Sequence, residues 1–280
     1  MPAAIATPAA SIELLPGSRE LLALHERELP QRDDLCGAFC GALALRAAGV
    51  RAPGQEPLDQ DAVALAAGSV VCAMREAGTL PGGEVGRRDY RLQIPLIDDE
   101  ESSGTAASGV QRAIEELSEG ALRALPFAGP WTPATLDALF DALIALGRPA
   151  ALIANHATRY LWGSRPHALA LLDYLLAGSQ DGPPPDWDVG HFACVIGRIS
   201  GPRGNLYALA DTYPALGDDG LHLQPRERLA AALERREKPS GGMLVVIARE
   251  DEQRARADAS AAGLQERIWD NGSVTSESLR

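Results

Sequence analysis

The stretch Gln31-Arg32-Asp33-Asp34-Leu35-Cys36-Gly37-Ala38-Phe39-Cys40 passes from polar, turn-forming residues straight into an apolar segment. Its pattern predicts a helix from about Cys36 to Ala48, ended by Gly49, with Asp33 or Asp34 as the N-cap. Ala38, Phe39, Ala42, Leu43 and Leu45 give that helix a broad apolar face, so it should be buried. A cysteine at its start lies where free backbone N–H groups and the helix dipole favour negative charge. That position makes a thiol nucleophilic. Gln31, five residues upstream, offers an amide donor for a developing oxyanion. Gly37 next to the cysteine reads as room for close approach of a substrate.

Working outward from this helix, residues 1 to 16 read as a flexible leader and Ser18 to Leu29 as a short amphipathic helix carrying His25. Helices are expected from Asp59 to Ala77, carrying Cys72, and from Val110 to Leu117. Residues 79 to 109 are irregular and contain the acidic run Asp98 to Glu101, so they read as an exposed loop or the edge of an insertion within one domain spanning 17–249. Trp131-Thr132-Pro133 is a capped start for a helix ending at Gly147. Ala150 to Ala154 is a buried strand, and Arg165 to Leu176 a helix. After the loop Gly178 to Asp188 the pattern turns β-rich. Strands are expected at His191 to Ile199, Leu206 to Ala210 and Gly242 to Ala248, with a helix at Pro225 to Arg235. Residues 250 to 280 read as a charged tail. Helices first and then a largely antiparallel sheet make an α+β plan, in which a cleft between two lobes is the natural site.

The chain has 280 residues and a net charge of −12, which argues against nucleic acid or an anionic membrane as partner. No run of 18 apolar residues suggests a membrane span, and the first residues lack a basic secretion signal. The four cysteines, Cys36, Cys40, Cys72 and Cys194, form neither a disulfide framework nor a Cys-x-x-Cys metal pair. The expectation is a cytoplasmic protein with reduced thiols and no cofactor or metal. Oligomeric state is left open.

The base for Cys36 lies far downstream. His191 opens one strand and Asp211 ends the next, so antiparallel pairing brings them to one sheet edge. An imidazole beside a carboxylate keeps one tautomer and gains a stabilised protonated form. Cys40, one turn after Cys36, is the alternative nucleophile. His156 and His167 are the rival bases.

This order of residues resembles the papain-like cysteine peptidases, and more narrowly the peptidases that process bacteriocin leaders at a double glycine. Those have a Gln, then Cys-Gly and an apolar helix, with His-Phe and a β-run much later, and an Asp after a second strand. Here the matching residues are Gln31, Cys36-Gly37, His191-Phe192 and Asp211. The resemblance implies a papain-like fold with Cys36 as nucleophile, His191 as base and acid, Asp211 as its orienting partner and Gln31 as oxyanion donor. It also implies an insertion over about 51–145, a stretch longer than a minimal peptidase of this type needs. It implies thiol-dependent hydrolysis or acyl transfer at a peptide or amide bond, with a peptide or acyl substrate cut next to small residues. The alternative is a catalytically inactive relative that binds peptides or partners a biosynthetic enzyme.

Overall fold

A computed structural model describes residues 11–51, 57–74, 79–235 and 241–279. It is a mixed helix and sheet structure with an antiparallel sheet at its centre. The sheet joins β4 (Leu122–Phe127), β9 (Gly242–Ala248), β5 (Ala150–Ala157), β6 (Gly190–Ser200), β7 (Asn205–Ala210) and β8 (Leu221–Pro225) in that spatial order. β1 (Ser11–Leu14) pairs with the far half of β6, beyond the part that pairs with β5. All these pairings are antiparallel. β5 and β9 are buried along almost their whole length, and apart from Asn155 and His156 on β5 they read as apolar runs, as strands covered on both faces do.

Helices cover both faces. On one side α1 (Ser18–Glu28), α2 (Cys36–Ala47), α3 (Gln60–Ala67) and α4 (Ala107–Leu117) share a core with Ile153, Phe192, Cys194 and Leu244. On the other, α5 (Pro133–Leu146), α7 (Arg226–Glu234) and α8 (Glu252–Ala261) pack on Leu152, Ala193, Val195 and Val245. α6 (Ala168–Ala177) closes a smaller cluster with Trp162, Tyr174 and Leu206. A separate parallel pair joins β2 (Val71–Cys72) to β3 (Leu96–Ile97). Among the described residues no helix is long and apolar enough to cross a membrane.

Several expectations are corrected. The leader expected over 1–16 becomes strand β1 at Ser11, and Leu15 is buried; residues 1–10 lie outside the described residues. The helix expected over 59–77 stops at Ala67, because Gly68 adopts a left-handed conformation, and Cys72 lies on β2 instead. Residues 75–78 of that expectation are outside the described residues. The cap of α2 is Leu35, with no side-chain hydrogen bond, rather than Asp33 or Asp34. The stretch read as an insertion supplies α3, α4 and β4, all with residues in the core beside α2. The expected tail carries α8 and then Trp269, which is 5% exposed within that same core.

Candidate active site

The start of α2 is open because its neighbours point elsewhere. Asp34 turns the chain with φ of 66°, and its Oδ2 accepts from the Cys72 N–H at 2.8 Å. Asp33 Oδ1 accepts from the Arg87 N–H at 2.9 Å. Neither carboxylate caps the helix, so the first-turn N–H groups at Cys36 have no side chain on them. They remain free to meet a substrate oxygen, with the dipole adding to their pull on negative charge. Gly37 has a different job from the one its position suggested. A Cβ there would lie 3.0 Å from Val110 Cγ2 and 3.1 Å from Thr105 Cβ, so the glycine lets α4 approach α2.

Gln31 is bound twice to Thr212, two residues past the end of β7. Its N–H donates to the Thr212 carbonyl at 2.9 Å, and the Thr212 hydroxyl donates to its Oε1. With Oε1 taken, the amide Nε2 is the group left to face outward; it also makes a long 3.3 Å contact to the Arg32 carbonyl.

His191 follows Gly190 at the start of β6, opposite His156 on β5. β6 pairs with β7 up to Cys194 and Ala210, and the next residue, Asp211, falls beside His191. His191 Nε2 and Asp211 Oδ1 are 2.8 Å apart, and both side chains are about 2% exposed. The Thr212 N–H also donates to Oδ1, at 2.7 Å. The Cys36 thiol lies near enough to the imidazole to favour its charged form. Since Nε2 serves Asp211, Nδ1 is the nitrogen left for sulfur. Tyr213 stacks on the His191 ring at 6.2 Å between centroids, and Trp187 meets it edge-on at 5.0 Å.

These contacts set the charges. Burial opposes an imidazolium at His191, but the Asp211 carboxylate and Cys36 more than offset it, and the pKa is pushed up to about 10. Burial likewise opposes the Asp211 carboxylate, and His191 and His222 together hold its pKa well below the ordinary carboxylate range.

The thiol, the imidazole and Gln31 line one cleft of about 640 Å³. Cys36 is partly exposed there, whereas Cys40, Cys72 and Cys194 are buried. The rim carries both signs of charge, with Arg159 and Arg235 as well as Glu100 and Glu101. The late segment of the chain helps to build it. Trp269 Nε1 donates to Asn155 Oδ1 at 3.0 Å, and Asn155 Nδ2 reaches the His191 carbonyl at 3.3 Å. Asn271 and Ser273 hydrogen-bond the backbone of Thr105 and Ser103.

All four expected residues, Cys36, His191, Asp211 and Gln31, therefore come together. The rivals do not fit. Burial pushes the Cys40 thiol up, and it lies against Cys194 rather than the cleft. His156 is fully buried with neither ring nitrogen partnered among the described residues, and burial drives its pKa down to about 3. His167 is exposed at the start of α6. Sequence reasoning missed Thr212, which links Gln31 to the Asp211 turn, and the aromatic pair Trp187 and Tyr213. It also missed His222 and Gln224. Their two-residue spacing within Leu221-His222-Leu223-Gln224-Pro225 is the strand signal that was available.

A family model described as "Family of unknown function (DUF6885)" matches residues 15–270. No curated protein matches the chain.

Proposed function

Since the chain belongs to DUF6885, a family of unknown function, the site itself has to carry the assignment, and we propose that it is a papain-like, cysteine-dependent hydrolase or acyltransferase acting on a peptide or amide bond. One observation carries this reading. The only partly exposed thiol among the four cysteines lies at a helix N-terminus and shares one cleft with an imidazole whose Nε2 is held by a buried carboxylate.

In the proposed reaction the Cys36 sulfur attacks the substrate carbonyl carbon. The C=O π electrons move onto oxygen, which the Cys36 N–H and Gln31 Nε2 stabilise. The intermediate collapses, the C–N bond breaks, and the amine leaves with a proton from His191 Nδ1. The raised pKa of His191 suits this order of events. Part of the rise comes from Cys36 itself. Once the sulfur is acylated its negative charge is gone, and the imidazolium releases its proton more readily, at the moment the leaving nitrogen needs it. Neutral His191 then takes a proton from water, or from an acceptor amine, which attacks the thioester and frees Cys36.

The test is alkylation with limiting iodoacetamide at about pH 6, where ordinary thiols are protonated, mapped by mass spectrometry. Selective labelling of Cys36, together with a hydroxylamine-sensitive acyl adduct formed from peptidyl amides and absent in Cys36→Ala, supports the reading. Labelling of Cys36 no faster than a free thiol rules it out and leaves a peptide-binding protein.

A further inference from the structure

Asp211 has a second oxygen, and the groups on it form a chain whose proton positions follow from the hydrogen bonds alone. The Trp162 N–H can only donate, and it points at Gln224 Oε1 at 2.8 Å. The Trp162 carbonyl can only accept, and it faces Gln224 Nε2 at 2.9 Å. One residue's backbone thus fixes the amide in a single orientation from both ends. The remaining hydrogen on Nε2 points at His222 Nδ1, 3.0 Å away. That nitrogen must therefore carry a lone pair, which places the ring proton on Nε2. His222 Nε2 lies 3.2 Å from Asp211 Oδ2. Gln224 is fully buried, and His222 and Asp211 nearly so, so the chain is held by protein groups from end to end.

We propose that His222, set in its tautomer by Gln224, is the positioning residue of the Asp211–His191 pair. It donates Nε2–H to Oδ2 and so keeps Oδ1 turned toward His191 Nε2. The role rests on the catalytic reading of Cys36 and His191. His222 touches no substrate and lies outside the lining of the cleft. It acts through Asp211, whose Oδ1 it leaves to His191 and to the Thr212 N–H. His25 holds the same residue from a third side, through the Asp211 carbonyl. β8 matters for this reason. Its register puts His222 opposite Leu209 and Gln224 opposite Tyr207, so alternate residues of one strand form the whole relay.

Two measurements test this. Long-range proton–nitrogen NMR of the histidine-labelled protein reads the tautomer directly. A protonated Nε2 on His222 is expected, and a protonated Nδ1 overturns the proposal without touching the catalytic reading. The second is the pH profile of Cys36 alkylation by iodoacetamide. His222→Phe keeps the ring volume and loses the donor, leaving a buried carboxylate oxygen unmet. The rate at about pH 6 should fall by about tenfold or more, while the rate near pH 9.5, where an ordinary accessible thiol is ionised, changes less than about twofold. His222→Gln, whose Nε2 can occupy the donor position, should recover most of the low-pH rate. Gln224→Glu, which cannot donate to Nδ1, should lower it. A low-pH limb that persists unchanged in His222→Phe overturns the positioning role alone. A wild-type profile with no low-pH limb removes the catalytic reading, and this role with it.

Discussion

His156 is the residue whose replacement should change acid stability most. It lies on β5 in the first strand layer beside the site, fully buried, edge-on to His191 at 5.9 Å. Neither ring nitrogen has a partner among the described residues. Burial, with the positive charge of His191 adding to it, lowers its pKa from 6.5 to about 3. The unfolded chain therefore binds a proton at this residue below pH 6.5 that the folded chain refuses until about pH 3. Stability from this group is complete above 6.5 and is lost as pH falls toward 3. At about 1.4 kcal/mol per pH unit, the loss is roughly 3 kcal/mol between pH 6.5 and 4, with a ceiling of roughly 5 kcal/mol lower down. His191 does not blur this window, because with a pKa of about 10 it is charged in both states below 6.5. His25 does share it, since burial lowers its pKa too, so the comparison must be with a single variant. His156→Leu is close in volume and removes two unpaired buried polar atoms. Urea midpoints of the two proteins measured at several pH values give the answer. The variant should be the more stable by about 1–3 kcal/mol at neutral pH, and the gap should widen by roughly 3 kcal/mol on going to pH 4. Parallel curves across that range would refute the reasoning.

Three further outcomes follow from the site. Cys36→Ser should abolish acyl-adduct formation and turnover while keeping the melting temperature within a few degrees, because the residue is partly exposed and bears little core; calorimetry and mass spectrometry check both halves. Asp211→Asn should bring the alkaline titration of His191 down from about 10 toward its ordinary 6.5, read by histidine NMR, because the carboxylate charge is the largest influence holding it up. Trp269→Ala should destabilise the fold by about 3–5 kcal/mol in a denaturant titration, since the ring is buried in the first core and its N–H is bonded to Asn155.

The parts of the fold that were legible in the chain are those where local signals agree with tertiary context. Gly242–Ala248 is an uninterrupted apolar run and forms β9 with those bounds. Thr132 and Pro133 start α5 with a capping box. β4 was hidden by Pro126, which argues against a strand; it is tolerated because β4 is the outermost strand on its side of the sheet. β8 was hidden by its buried polar residues, whose partners come from elsewhere in the chain. β1 is four residues long and pairs only with the overhanging end of β6, a partner that nothing local in Ser11–Leu14 announces. At the site, the chemistry of Cys36, His191, Asp211 and Gln31 could be read from residue type and order. Thr212 and His222 could not, because each acts on an atom of Asp211 or Gln31 whose direction only the folded backbone defines.

The long separation within the site also bears on when the thiol becomes dangerous to its surroundings. Gln31 and Thr212 are hydrogen-bonded across 181 positions of chain, and Cys36 leaves the ribosome in company with the former. At about 5–20 residues per second, the partners on β6 and β7 arrive on the order of ten seconds later. Until then the nascent sulfur has no imidazole beside it and behaves as any other protonated thiol. On the proposed mechanism, reactivity is switched on by completion of the sheet, so unfinished or truncated chains are chemically quiet.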